Sequence, residues 1–470
     1  MREKYAILLA GWIFSAVCVS GVCQAGVPKD GHGTAAVETT AEDLLPGMSD
    51  EMPPVPPADG KGPGPGGQGQ EARSADDLQA ACVVDKSSKT LQGQKLTTAK
   101  ADENALLVRN GGSLVLQDAV LQKTGDSTSV DDSNFSGCNA IVLSSNSTIK
   151  LRQVELASAA EGANAIFSTG KNSQIVADHV KIHTTAGSSR GLDATYGGTI
   201  TASDVDIVTE GAHCAALATD RGEGTVTVSR GTLMTFGEGS PCVYSTGAIR
   251  AVDSRGIASR SEIAVVEGKN SIELQNVELT GSVKHGVMLY QSFSGDAGTG
   301  TASFKATGSR LTNLSTGPMF YVTNTKAQAQ LENNQLSSRG TVLVDVTSGQ
   351  WGRKGANGGD FVLTARAQTL QGAVQANDLS QVRLVLEDGS HWEGSLDAAG
   401  TAKQADLSLT AGASWTMTAD SHVDSLEDGQ RDFANIQSNG HTLYYNAQKS
   451  SQLAGKTYAL AGGGQLRPEK

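Results

Sequence analysis

The sequence repeats itself at a nearly constant interval, and this feature restricts the possible folds most strongly. Ile149 recurs as Ile175 and then as Ile200, an interval of about 25 residues each time. Farther along, Trp392 recurs as Trp415, at a slightly shorter interval. A unit of this size cannot bury an apolar face alone, whereas stacked units bury one continuous core in which each unit contacts only its neighbours. We therefore expect a solenoid.

Short alternating strands fill each unit. In the segment ITASDVDIV, Ile200, Ala202 and Val205 lie among polar neighbours, with one slip in phase. Ile141 and Ile166 each end a copy of the motif Asn-Ala-Ile and are expected to stack on one another. Turns rich in Gly, Asn, Ser and Asp separate the strands, and aromatic residues make up only 4% of the chain, which suits a thin core.

This pattern predicts an all-β, single-stranded right-handed parallel β-helix. The alternative is an array of antiparallel β-sandwiches, which would also give short strands and glycine-rich turns. A sandwich array does not require equivalent residues to recur at a constant interval, so the repeat favours the β-helix.

The chain divides into four regions. Residues 1–25 have a basic start, an apolar run and small residues before Ala25, as a secretory signal peptide has. Residues 26–80 contain eight of the 11 prolines and excess acid, so we expect a disordered leader. The main β-helix is expected over 81–360 and a section with shorter turns over 361–470. The signal peptide predicts that the protein is exported, and no segment after it is predicted to cross a membrane.

Charge and motifs exclude several functions. The 37 basic and 49 acidic residues give a net charge of −12 without a basic cluster, which argues against nucleic-acid binding. The sequence has no HExxH or CxxC motif, and we identify no catalytic signature in it. No cofactor is expected apart from a Ca²⁺ ion, for which the indication is weak.

Four cysteines follow the signal peptide, and an even number in an exported chain permits disulfides. Cys214 and Cys242 each follow a glycine by three residues, which predicts that they stack on neighbouring turns and form a possible bridge. The alternative is a pair of small buried residues without a bond. A bridge between Cys82 and Cys138 would rest on elimination alone.

One pair of carboxylates is a candidate metal site. Asp193 and Asp220 are separated by about one repeat, so they are expected on adjacent turns, where two carboxylates could hold a divalent cation. β-Helix enzymes that cleave acidic polysaccharides use such groups. The alternatives are solvated turn residues, or a structural ion-pair ladder with Arg190 and Arg221.

The loop WGRKGANGGD at 351–360 is the candidate ligand-binding segment. Its glycines make it flexible, while Trp351, Arg353 and Lys354 suit contact with a partner. The alternative is a junction between two sections of the solenoid, because the repeat shortens beyond it. Four tyrosines are further candidates for stacking on sugars, or else pack at the edges of turns: Tyr196, Tyr244, Tyr290 and Tyr321.

Two stretches carry a family resemblance. GSHWEGSLDAAG at 389–400 and the segment 405–426 resemble the distal part of autotransporter (pertactin-like) passenger domains. The stretch from GCNAIV to FYVTNTK resembles secreted bacterial adhesin-like β-helix proteins. The resemblance implies a β-helix at the cell surface or in the medium, and it transfers no active site. Autotransporters also carry a membrane β-barrel, which the sequence up to Lys470 lacks, so an envelope attachment partner is not identified.

These observations favour an exported, non-enzymatic, adhesin-like protein that binds a host or environmental glycan or protein through a side face. The first alternative is a polysaccharide lyase or glycosidase on the same scaffold, since β-helices host both kinds of function. The second is a purely structural component of the envelope. An extracellular or surface location is expected, with the periplasm as the alternative.

Overall fold

The computed structural model describes residues 73–469 and confirms an all-β parallel solenoid, here of about 16 turns. The predicted signal peptide and residues 26–72 of the predicted leader lie outside the described residues. Among the described residues, strands pair in parallel except where Tyr458–Ala459 pairs antiparallel with Gln465–Pro468. No helix within this part of the chain is long and apolar enough to span a bilayer.

The first face of the solenoid is a 12-stranded parallel sheet, called sheet A here. Each turn contributes one short strand, and the strands follow one another in chain order. They are Gln79–Asp85, Glu103–Arg109, Val142–Ser145, Ile166–Thr169, Leu192–Thr195, Leu217–Thr219, Val243–Ser245, Ala264–Glu267, Val287–Tyr290, Phe320–Thr323, Val342–Val346 and Ala373–Ala376.

The other two faces are two ladders that share bent strands, together called sheet B. The shared strands are Ser113–Lys123, Thr148–Ser158, Gln174–Thr184 and Thr199–Thr209. The first ladder adds Ser88–Gln92, Thr225–Ser229, Ala248–Val252, Ser271–Gln275, Thr301–Thr307, Lys326–Glu332, Asp360–Arg366, Gln381–Leu386, Gln404–Leu409 and Ser425–Asp428. The second ladder adds Lys95–Thr98, Thr232–Thr235, Arg255–Ala258, Glu278–Gly281, Arg310–Asn313 and Gln335–Ser338.

Two small sheets complete the C-terminal turns. Sheet C contains Thr369–Gln371, His391–Gly394, Ser414–Met417 and Ile436–Gln437. Sheet D contains Ser421–Val423, Thr442–Tyr445, Tyr458–Ala459 and Gln465–Pro468. The helical elements of the described residues are Val130–Ser136, an α-helix, and the 3₁₀ turns Ala75–Asp77 and Ser451–Leu453.

The repeats of the sequence correspond to inward ladders of the core. Ile149 pairs with Ile175, which pairs with Ile200, and all three are buried. The phase slip at Asp204 is the corner between the two ladders of sheet B, where this residue has a positive φ of 52°. Trp392 and Trp415 stack inside the core with ring centroids 4.9 Å apart. These ladders are visible in the sequence because every turn must supply the same kind of side chain.

Two details of the sequence prediction are wrong. Ile141 does not stack on Ile166, because Val142, one residue later, is the partner of Ile166. Residues 73–80, assigned to the leader, belong to the folded solenoid. Leu78 is buried there, and Gln79 begins the first strand.

The cysteine register also differs from the prediction. Cys214 N donates a hydrogen bond to Ser240 Oγ, whereas Cys242 lies farther along the chain, directly before the pairing of Leu217 with Val243. The four cysteines of the described chain are free thiols, so the structure holds no Cys214–Cys242 bridge. Burial raises the pKa of Cys214 to about 11 and of Cys242 to about 12.

The other predicted bridge is absent as well. Cys82 packs on the core inside the solenoid, and Cys138 lies in a separate cluster on the outward side of sheet A. These two thiols therefore do not meet.

Candidate functional site

The outward side of sheet A is unusual because inserted segments cover it. One row of outward side chains runs along it, which is apolar in its first turns and mixes polar, aromatic and apolar members from Asp193 onward. The row contains Leu107, Leu143, Phe167, Asp193, Ala218, Tyr244, Val265, Met288 and Tyr321. The covering segments are residues 124–139, 291–300 and 347–359, which lie between strands rather than in them.

The N-terminal part of this side is an apolar patch under the helix Val130–Ser136. Phe167 and Leu143 are fully buried in a cluster with Cys138, separate from the core inside the solenoid. The helix begins where Ser129 Oγ accepts a hydrogen bond from the N–H of Asp132, and it ends at Gly137, whose φ is 72°. Leu78 and Cys138 pack with these outward residues, and the helix ends against them, since a Cβ at Gly137 would lie 2.6 Å from the ring of Phe167. The outward residues thus form a second core.

A buried lysine anchors the inserted segment. Lys123 has no exposed surface, and its Nζ donates to the carbonyls of Lys100 and Gly125 at 2.7 and 2.6 Å. Burial lowers the pKa of Lys123, and nearby carboxylates, Glu103 foremost, oppose this effect. The ammonium group of Lys123 thus supplies a hydrogen-bond donor to carbonyl groups at the start of the inserted segment.

Next to the patch lies a buried ionic triad. Arg190 Nη1 is 3.0 Å from Asp193 Oδ2, and Arg190 Nη2 is 3.0 Å from Asp220 Oδ2. Burial raises the pKa of Asp193 to about 6 and that of Asp220 to about 8, against the opposing effect of Arg190. Burial also disfavours the cation, but the two carboxylates raise the pKa of Arg190 above its usual range. Burial therefore disfavours ionisation of the two acids, while the adjacent charge of Arg190 favours it.

The two predicted metal ligands do meet, but around a guanidinium. Asp193 Oδ1 is buried without a hydrogen-bond partner among the described residues. Arg221, the other predicted cation, pairs with Asp296 at 2.7 Å and lies 3.7 Å from the ring centre of Phe135. Arg190 pairs with both carboxylates as the predicted ion-pair ladder requires, whereas Arg221 does not pair with them. Cation binding by Asp193 and Asp220 stays a prediction.

A second buried group centres on Glu267. Tyr244 and Tyr290 donate their hydroxyl protons to Glu267 Oε2 at 2.7 and 2.9 Å, and Ser292 donates to Oε1. Glu267 is 1% exposed, and burial raises its pKa although these hydrogen bonds act in the opposite direction. Burial likewise raises the pKa of both tyrosines. The carboxyl group is held in one position by three hydroxyls.

The loop that was predicted to bind a ligand closes over this group. The ring of Trp351 lies 5.5 Å from that of Tyr290 and 6.0 Å from that of Phe293. Asn357 holds the loop, because its Nδ2 donates to the carbonyl of Trp351 at 2.8 Å. Arg353 and Lys354 are exposed beside it. The structure thus brings Trp351 to the same side of sheet A as the ionic triad.

Sequence reasoning missed Glu267, Ser292 and Asp296. A signal was present, because Glu267 is 23 residues from both Tyr244 and Tyr290, so the three occupy successive turns. Beyond this group, His285 stacks on Tyr321 with ring centroids 4.2 Å apart. Aromatic and polar side chains on this side of sheet A therefore continue toward the C-terminal turns.

One cluster of potential metal ligands lies elsewhere among residues 73–469. Asp178, His179 and Asp204 bring ligand atoms within 4.8 Å of one another at a corner of sheet B. Arg230 already pairs with Asp204 at 2.6 Å, and Arg152 lies 3.7 Å from Asp178. These carboxylates are therefore engaged by cations of the protein.

Comparisons with protein-family models, with curated proteins and with solved structures found no match to this chain.

Proposed function

We propose that this chain is an exported, non-enzymatic, adhesin-like protein that binds a glycan or protein ligand through the outward side of sheet A. The observation that carries the proposal is the position of Trp351. Its half-buried ring packs with half-buried Phe293 over the hydrogen-bonded group of Glu267. Exposed Arg353 and Lys354 lie on the same loop.

The chemistry of this surface suits sugars. Aromatic rings present an apolar face and bury large areas, so they stack well on the flat side of a pyranose. Cationic side chains on the adjoining loop would pair with the carboxylate of an acidic sugar or protein. The buried network below would keep the aromatic platform rigid, which limits the entropy lost on binding.

The test is binding of the protein to an array of acidic and neutral glycans. Trp351→Ala should weaken binding at least tenfold, while Phe236→Ala, an exposed aromatic residue outside sheet A, should leave it within twofold. Arg353→Ala with Lys354→Ala should weaken binding to acidic glycans only. Equal binding by all variants would contradict the proposal.

A polysaccharide lyase or glycosidase remains the second candidate. It is favoured by two carboxyl groups on one side of the sheet whose pKa values are raised by burial, those of Asp220 and Glu267. Against it, both groups are buried and bonded to protein side chains. New ultraviolet absorbance or reducing ends from polysaccharides, lost in Asp220→Asn or Glu267→Gln, would replace the binding proposal. If the protein neither binds nor cleaves any glycan, the result would favour a structural role in the envelope.

A further inference from the structure

The solenoid has a step on one of its three faces. The second ladder of sheet B ends at Gln335–Ser338, and sheet C begins at Thr369–Gln371, yet no ladder joins these two strands. On the other two faces the same turns pair without a gap, through Lys326–Glu332 with Asp360–Arg366 and through the sheet A strand 342–346 with its successor. A cleft of about 800 Å³ lies at the step.

The backbone at the upper edge of the cleft is unpaired. Gln335 N donates to Ser309 O at 2.8 Å and Arg339 N to Asn313 O at 3.2 Å, so both point to the preceding turn. In a parallel strand successive residues direct their N–H and C=O groups to opposite edges. The amide groups of residues 336 and 338 therefore face the cleft, where the described residues offer them no strand.

The lower edge is the mirror of this situation. His391 N donates to Gln368 O at 3.0 Å, and Gly372 N donates to Glu393 O at 2.9 Å, so positions 368 and 372 point to the following turn. The alternation then directs the N–H and C=O groups of residues 369 and 371 toward the cleft, where Gln368 Nε2 donates to the carbonyl of Thr369 at 2.9 Å. Unpaired edges of this kind are templates for another strand.

Side chains give the cleft a closed end, an apolar floor and one charge. Gln368 closes it, since its Oε1 accepts from Asn334 N at 2.8 Å and its Nε2 donates to Asn334 O at 2.9 Å. Half-buried Leu336 lies in the lining with buried Met319 and Leu343. Among the described residues that line the cleft, Glu393 is the one with a charged side chain.

We propose that this cleft binds an extended peptide segment of a partner protein, which adds as a β-strand to the edge of Gln335–Ser338. Backbone groups that face the cleft at every second residue repeat about every 6.6 Å, the repeat of a strand, and this spacing selects a peptide over a sugar. The edge would accommodate about 13 Å of peptide. An apolar side chain should enter beside Leu336, and Glu393 should favour a basic residue.

The test is selection of a phage-displayed library of short random peptides on the wild-type chain, with depletion on the Ser338→Pro variant. Proline removes the N–H that faces the cleft and is tolerated at an unpaired edge. We expect enriched peptides with one apolar residue and a nearby Lys or Arg. Their affinity should fall at least tenfold for Ser338→Pro and stay within twofold for Gln330→Ala, an exposed residue of the same turn outside the cleft.

A second measurement does not depend on the variant. Methylation of the peptide nitrogens that face the edge of Gln335–Ser338 should abolish binding to the wild-type chain, and methylation of nitrogens outside the bound segment should not. Failure to enrich any peptide, or equal binding by both methylated forms, would overturn the proposal. A dimer of the wild-type chain that is lost in Ser338→Pro would also overturn it, because a second copy would then be the occupant.

Discussion

The two parts of the outward side of sheet A use equivalent positions for opposite purposes. Phe167 and Asp193 are direct partners in neighbouring strands, and both are fully buried. The ring of Phe167 packs in an apolar cluster under the inserted helix. The carboxylate of Asp193, one turn later, pairs with Arg190 at 3.0 Å.

The difference shows that the strand determines whether a side chain points inward or outward. The inserted segment determines whether the surroundings of an outward side chain are apolar or polar. Successive side chains of a strand point alternately to the core and to the outward side, whichever segment covers that side. Residues 124–139 bring Cys138 to the apolar cluster of the first part, whereas residues 291–300 bring Ser292 to Glu267 and Asp296 to Arg221. The polarity of each outward side chain therefore agrees with that of the segment that covers it. The contribution of each part to stability can be tested separately.

The largest expected effect comes from the apolar part. Phe167→Ala removes a fully buried ring and leaves a cavity under the helix, which should lower the free energy of unfolding by about 4 kcal/mol. Urea unfolding followed by circular dichroism would measure this loss. Val176→Ala, an outward residue of sheet B with 36% exposure, is the control and should cost less than about 1 kcal/mol. Equal losses would show that the cluster is not a second core.

A smaller loss is expected in the polar part. Arg190→Met removes the cation that pairs with Asp193 and Asp220, so each acid stays buried either charged without a partner or protonated, which costs about 3 kcal/mol. Arg152→Met breaks an exposed pair with Asp178 and should cost below about 1 kcal/mol. Comparison of the two urea midpoints tests the point. Similar midpoints would mean that the triad contributes no more than a surface pair.

The contrast also explains what the sequence could predict. The spacing of Ile149, Ile175 and Ile200 predicts the stack, because every turn must place an apolar residue in the same inward ladder. Even the corner at Asp204 appears in the sequence as a slip in phase. Outward residues follow no such rule. Glu267 was missed because its cover, residues 291–300, interrupts the repeat instead of obeying it.

Register to the single residue was also beyond the sequence. The glycines before Cys214 and Cys242 suggested equivalent positions, but strand pairing places Leu217 opposite Val243 and so moves the cysteines out of register. Glycine marks a bend without fixing where the next strand begins. For the same reason the step after Gln335–Ser338 has no signal beyond the shortened repeat.

The pH dependence of stability provides a third test. Burial raises the folded-state pKa of Asp220 to about 8 from its usual value of 3.8. Between these two pH values, the carboxyl group of Asp220 is protonated in the folded state and ionised in the unfolded state. Protonation of Asp220 stabilises the folded state fully below about pH 4, and this stabilisation is lost as the pH rises through about 8. The unfolding free energy of the wild type should therefore fall between about pH 5 and pH 8 relative to Asp220→Asn, by at most about 1.4 kcal/mol per pH unit.

Asp206→Asn, at an exposed position, is the matched control for this titration. Its unfolding free energy should follow that of the wild type across the same range. A constant difference between the wild type and Asp220→Asn would mean that Asp220 is ionised throughout.

The smallest effect on stability is expected where the polar part meets solvent. Trp351 is half-buried and covers Tyr290 from a loop, whereas Trp415 is fully buried and stacked on Trp392. Trp351→Ala should therefore lower the free energy of unfolding by less than about 1 kcal/mol, while Trp415→Ala should lower it by about 3–5 kcal/mol. Urea unfolding of the two variants measures both. A large loss at Trp351 would identify its ring as a structural cover of the Glu267 group. A small loss together with weakened ligand binding is the combination that a binding platform requires, because a surface that contacts ligands contributes little to its own fold.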